Sequence, residues 1–128
     1  MKRLMVGAVF FLLSIRPGSA KTLALSGIPD IQTKSTMDET IRIEVDSVKK
    51  KGLRVVIVKE GDQYYWETRD RRKLTRTTQG NMILFLDPTG GGYIKVAPTP
   101  DGKAIYMEHL SQGLETFTYW GVVEHLEP

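Results

Sequence analysis

LRVVIVKEGDQYYWETRDRRKLTR, residues 53–76, holds three strand-sized pieces and two turns in one run of sequence. Leu53 to Val58 is a β-branched run suited to a deeply buried strand, and Glu60-Gly61-Asp62 is a turn signal. Gln63 to Thr68 is aromatic-rich and predicts a third strand; Asp70-Arg71-Arg72-Lys73 turns it, and Leu74 to Thr78 returns as a fourth. Because successive strand side chains point to opposite faces, Tyr64, Trp66 and Thr68 share one side and Gln63, Tyr65 and Glu67 the other.

The same pattern extends outward. Upstream, Ile41, Ile43 and Val45 alternate with Arg42, Glu44 and Asp46, a strand with one wet side. The Lys49-Lys50-Lys51-Gly52 turn then predicts that it pairs with Leu53–Val58 as a hairpin. Downstream, Met82–Leu86 and Tyr93–Val96 are strands separated by Asp87-Pro88-Thr89-Gly90-Gly91-Gly92, and Pro98 to Gly102 interrupts again. At 104–112 two periods compete: Ile105, Met107 and His109 alternate, while Met107, Leu110 and Leu114 have helical spacing with Gly113 as a stop. The reading is a short helix over Ala104–Gln112, followed by a strand over Glu115–Val123. The expected fold is mainly β, a β-rich α+β chain: an antiparallel meander or small barrel of about six to seven strands with one short C-terminal helix. It occupies 41–127 as a single domain, preceded by an extended arm over 21–40 whose Leu23, Leu25, Ile28 and Ile31 lie against the body.

The first twenty residues read as a secretory leader. Lys2 and Arg3 form a basic start, Leu4 to Ile15 is an apolar run, and Arg16-Pro17-Gly18-Ser19-Ala20 ends in small residues, which predicts cleavage after Ala20. The run is shorter than the roughly 20 residues a spanning helix needs, so no transmembrane segment is expected in the processed chain. There is no cysteine in the 128 residues, hence no disulfide and no lipid-bearing cysteine. A periplasmic or secreted location in a bacterium is the expectation.

Removing Lys2, Arg3 and Arg16 takes the 18 Lys+Arg to 15, against 15 Asp+Glu. A neutral chain lacks the cation surplus that general nucleic-acid binding uses, so nucleic acid is not an expected partner. Charge is nevertheless uneven: Arg42 to Arg76 carries eleven basic residues against six acidic, while from Ala97 onward only Lys103 opposes five acids. Such a dipole can orient an encounter with an anionic surface or with a second copy.

Arg69, Arg72 and Arg76 are the candidate contacts for an anion, with Tyr65 and Trp66 as candidate stacking groups. Against this stands the structural alternative in which Trp66 and one tyrosine fill the core and the cations line a solvated hairpin tip. Thr89-Gly90-Gly91-Gly92 lacks the Gly-Lys-Ser/Thr continuation of a phosphate loop and reads as a hairpin loop. The only histidines, in Glu108-His109-Leu110 and Glu124-His125-Leu126, give no spacing that demands a metal, so no metal and no cofactor are expected. No Gly-x-Ser-x-Gly elbow and no cysteine nucleophile are present.

Tyr65-Trp66-x-x-Arg69, Leu74-x-Arg76, Gly92-Tyr93-Ile94, Tyr106-x-Glu108-His109-Leu110, Gly113-Leu114 and Tyr119-x-Gly121 together resemble a group of small exported bacterial proteins of unassigned activity, over about residues 61 to 121. The resemblance implies an envelope location and carries over no catalytic or ligand residue.

The functional expectation is a non-catalytic exported binding domain, docking on an envelope protein or an anionic polymer through the basic hairpin. A carbohydrate-binding module using Tyr65 with Trp120 or Tyr93 is the alternative, and a small hydrolase or metal-dependent enzyme using Glu108 and His109 is a third.

Overall fold

The computed structural model describes residues 20–128, so the predicted leader, apart from Ala20, lies outside the described residues. Nine strands follow in chain order: β1 Lys21–Ser35, β2 Thr40–Glu44, β3 Val55–Glu60, β4 Gln63–Trp66, β5 Arg72–Gln79, β6 Met82–Leu86, β7 Gly92–Pro98, β8 Ala104–Gln112 and β9 Glu115–Leu126. A single 3-10 turn, Lys50–Leu53, precedes β3. From β3 to β9 each strand pairs antiparallel with the next. β1 then pairs with both β3 and β9, closing eight strands into a barrel and leaving β2 as an extra strand on its flank.

Three expectations are corrected. Ala104–Gln112 is a strand, with Tyr106, Glu108 and Leu110 buried and Ile105, Met107 and His109 on the other face. Its helical spacing loses because β7 and β9 each offer a full edge to it, with Tyr93 opposite His109 on one side and Thr118 on the other. The strand count rises to nine because 104–112 is a strand and because 21–35, expected as an arm, is the longest strand of all. β2 and β3 also do not form the expected hairpin. Fifteen residues long, β1 gives the Lys21–Gly27 part of one edge to β3 and the Ile31–Ser35 part to β2.

An eight-stranded barrel is just wide enough for its own side chains to fill it. Here Leu25, Val55, Ile57, Trp66, Leu74, Phe85, Ile94, Val96, Tyr106 and Leu110 do so, each almost fully buried. At about 1.5–3 kcal/mol per large apolar side chain, this core is what offsets the absence of disulfides. Bulges in β1 near Ala24 and Asp30 bend it around the barrel. Gly121 is required at the second bend: a Cβ there would occupy the place of the Ile28 carbonyl. No helix among the described residues is long and apolar enough to cross a membrane.

Candidate functional site

One end of the barrel is capped by the five residues between β4 and β5. Arg69 N–H donates to the Trp66 carbonyl and Arg72 N–H to the Arg69 carbonyl, so two successive turns reverse the chain. Asp70 and Arg71 sit at positive φ (58° and 54°), the left-handed pair that matches the twist of a hairpin. The consequence is a division of labour among neighbouring cations. Arg69 is turned inward, Arg71 outward and Arg72 sideways.

Inside the cap lies a carboxylate with no exposure. Glu108 of β8 accepts the Trp66 indole N–H at 2.8 Å and an Arg69 guanidinium N–H at 3.1 Å. Arg69 also lies over the Tyr119 ring, 5.5 Å from its centre, and Gln32 of β1 donates to the Tyr119 hydroxyl at 3.4 Å. Trp66 of β4 and Tyr119 of β9 thus meet the Arg69–Glu108 pair, with Gln32 of β1 behind Tyr119. Burial pushes the Glu108 pKa upward, and Arg69 and Trp66 pull against it. Tyr119 is likewise raised by burial, with Arg69 opposing.

Beside the cap is a hollow of about 260 Å³ lined by Thr68, Arg69, Arg72, Gly91, Ser111 and Gln112 among others. Arg72, Gly91 and Ser111 also border a more open hollow of about 630 Å³ that runs past Lys73 and Asp87. Asp87 is nearly buried. Its Oδ1 accepts the Thr89 N–H at 2.8 Å and hydroxyl at 2.6 Å, while Oδ2 is 3.5 Å from Arg72. Burial works to raise the Asp87 pKa, but the Thr89 bonds and Arg72 outweigh it and hold it below its usual value. The glycine loop serves packing here: a side chain on Gly91 would displace the Arg72 guanidinium, and one on Gly92 would meet the Trp66 ring and the His109 carbonyl.

Of the five residues expected to bind, the structure brings Arg69 and Arg72 to one hollow. Trp66 lies in the core with its N–H on Glu108. Tyr65 faces outward beneath Arg71, whose guanidinium carbon is 4.2 Å from the ring centre and which pairs with Glu60 and Glu67. Arg76 is elsewhere, exposed on β5 opposite Phe85. Glu108 and His109, paired in the enzymatic expectation, point to opposite faces of β8. His109 stacks on Tyr93 with ring centres 5.0 Å apart and bonds to Thr118 at 3.0 Å. Among the described residues no group of three or more His, Cys, Asp or Glu could hold a metal ion.

Sequence reading missed Glu108 as the partner of Arg69 and Trp66. The signal was present in the alternation of 104–112: read as a strand, its apolar face is Tyr106, Leu110 and one carboxylate between them. Compared with protein-family models, with curated proteins and with solved structures, the chain has no significant match.

Proposed function

We propose that the chain is a non-catalytic exported binding domain of the bacterial envelope that takes an anionic group of a partner protein or polymer at the capped end of the barrel. Export rests on the leader pattern of residues 1–20. The observation that carries the binding reading is the shared hollow. Arg69 and Arg72, three residues apart, both line it, together with the hydroxyl-bearing Thr68 and Ser111. Arg69 supplies a fixed charge anchored on Glu108, and Arg72, held by Asp87 only at 3.5 Å and still 40% exposed, is the cation able to change partner. A carboxylate or phosphate suits such a paired guanidinium geometry.

The test is a titration with tripolyphosphate followed by amide NMR shifts. Expected are shifts at Thr68, Arg72, Gly91 and Ser111 that weaken steeply with salt and vanish in Arg72→Ala. Shifts confined to Arg76 and the β5–β6 hairpin, or no shifts at low salt, overturn the proposal.

One observation favours the carbohydrate reading: Trp120 is 40% exposed on the outer face of β9, beside exposed Ile105 and Val122. Tyr65 is three strands away and covered by Arg71, and Tyr93 is stacked on His109, so this reading rests on the Trp120 ring. Quenching of Trp120 fluorescence by added oligosaccharide is the result it requires.

A further inference from the structure

Among the described residues β2 is the only strand of the sheet with one neighbour, and all five of its residues are exposed. Such an edge presents unpaired N–H and C=O groups to whatever approaches. Which groups face outward follows from one hydrogen bond. Val45 N–H donates to the Asp30 carbonyl of β1, continuing the β1–β2 register in which Ile31 opposes Glu44 and Gln32 opposes Ile43. By the alternation of an antiparallel ladder, Ile43 and Ile41 bond inward to β1, and Thr40, Arg42 and Glu44 carry their peptide groups to the free edge.

We infer that this edge pairs antiparallel with β2 of a second copy, about a two-fold axis through Ile43. The sequence of the edge is self-complementary in that register. Arg42 opposes Glu44 of the other copy, and Glu44 opposes its Arg42, in both of the sites where peptide groups face each other. Ile43 meets Ile43 across the axis in the close, non-hydrogen-bonded site. Ile41 meets Val45.

Charge selects the register. Sliding one step of the ladder in either direction sets Arg42 against Arg42 or Glu44 against Glu44, and the intermediate slips misalign the peptide groups. A natural edge guarded against pairing carries like charges, typically lysines, which repel in every register. This one carries one charge of each sign on the same face, 3.9 Å apart within the strand, with Ile41 and Ile43 on the other face at 42% and 48% exposure. Two copies paired through β2 cover this edge on both, so an assembly made through it closes at two. Because only five residues pair, association is concentration-dependent.

Sedimentation of the purified chain over a range of concentrations, combined with two sets of variants, tests this. Arg42→Glu and Glu44→Arg are each expected to weaken the dimer by about tenfold, and the double variant to restore it, because the exchanged charges again face one another. The chain has no cysteine, so Ile43→Cys supplies a clean second readout. Cysteines at 43 lie opposite one another with Cα atoms about 4.5 Å apart, within disulfide reach. Cysteines at 41 lie roughly 13 Å apart along the strands. Oxidation is expected to link Ile43→Cys into a covalent dimer and to leave Ile41→Cys uncrosslinked. A chain monomeric at every concentration, species larger than a dimer, a double variant as weak as the singles, or equal crosslinking at 41 and 43 each overturns the inference.

Discussion

The indole N–H of Trp66 donates to the Glu108 carboxylate at 2.8 Å across the barrel interior, between two side chains that expose no surface. Through Arg69 this contact reaches the cap, so one buried acid joins the core to the turn that shapes the candidate site. Removing it strands two donors at once. Glu108→Ala is expected to cost about 3–5 kcal/mol, as when one partner of a buried ion pair is lost. Glu108→Gln keeps an acceptor for the indole and is expected to cost about 1–2 kcal/mol. Urea unfolding measures both, and equal losses would show that the charge removed in both variants, and not the acceptor that Gln keeps for the indole, carries the contact.

The same acid sets a pH dependence. Because burial raises the Glu108 pKa above its ordinary 4.5, the folded chain holds that proton to higher pH than the unfolded chain does. Its contribution is most favourable below 4.5, declines as pH rises through the folded pKa and is constant above it. Asp87 behaves oppositely: held below its ordinary 3.8, it contributes stability that is present above that value and lost as pH falls through the folded pKa. Urea midpoints measured against pH should therefore fall on both flanks. Glu108→Gln should flatten the upper flank alone.

The two tryptophans report different environments. Trp66 has no exposure and Trp120 has 40%, so iodide is expected to quench Trp120 and spare Trp66. Trp120→Phe should leave a blue-shifted, protected emission at unchanged stability. Trp66→Phe should leave a quenchable one and cost about 1.5–3 kcal/mol, the value of a hydrogen bond to a charged group. Uniform quenching in the unmodified chain would contradict the buried position of Trp66.

Glycine positions separate close packing from mere turns. At Gly121 the Ile28 carbonyl takes the space of a Cβ, and the residue opposes Pro29 where β1 and β9 close the barrel. Gly121→Ala is expected to cost about 1–3 kcal/mol. At Gly52 nothing lies within 4 Å, and Gly52→Ala should be neutral within about 0.5 kcal/mol. Thermal unfolding of the pair gives the contrast directly.

Where strands begin and turn was legible because two local rules agree: side chains alternate, and Gly, Asp, Asn and Pro punctuate. Residues 40–44, 55–60, 63–66 and 82–86 were placed within a residue or two on those grounds. The segment 104–112 was misread because Met107, Leu110 and Leu114 satisfy a helix as well as a strand, and period alone cannot arbitrate over nine residues. Residues 21–35 were misread because two bulges break their alternation, so the buried set, Ala24, Leu25 and Pro29 among it, follows no single period. The cationic cluster was visible, but not that Arg69 faces in, Arg71 out and Arg72 toward Asp87. Two backbone dihedrals decide that.

By itself the amino-acid order determined an antiparallel β chain without disulfides and a basic turn after Trp66, and it left Trp66 either in the core or stacking on a ligand. Only the tertiary structure decided that the ends meet: β1 and β9 pair from Leu25–Leu126 to Ser35–Thr116, and Glu108 finds an arginine 39 residues away. Alternation records which face of a strand is dry and leaves open which edge joins which, because every strand offers the same peptide groups along its sides. Closure and the buried pair were settled by packing.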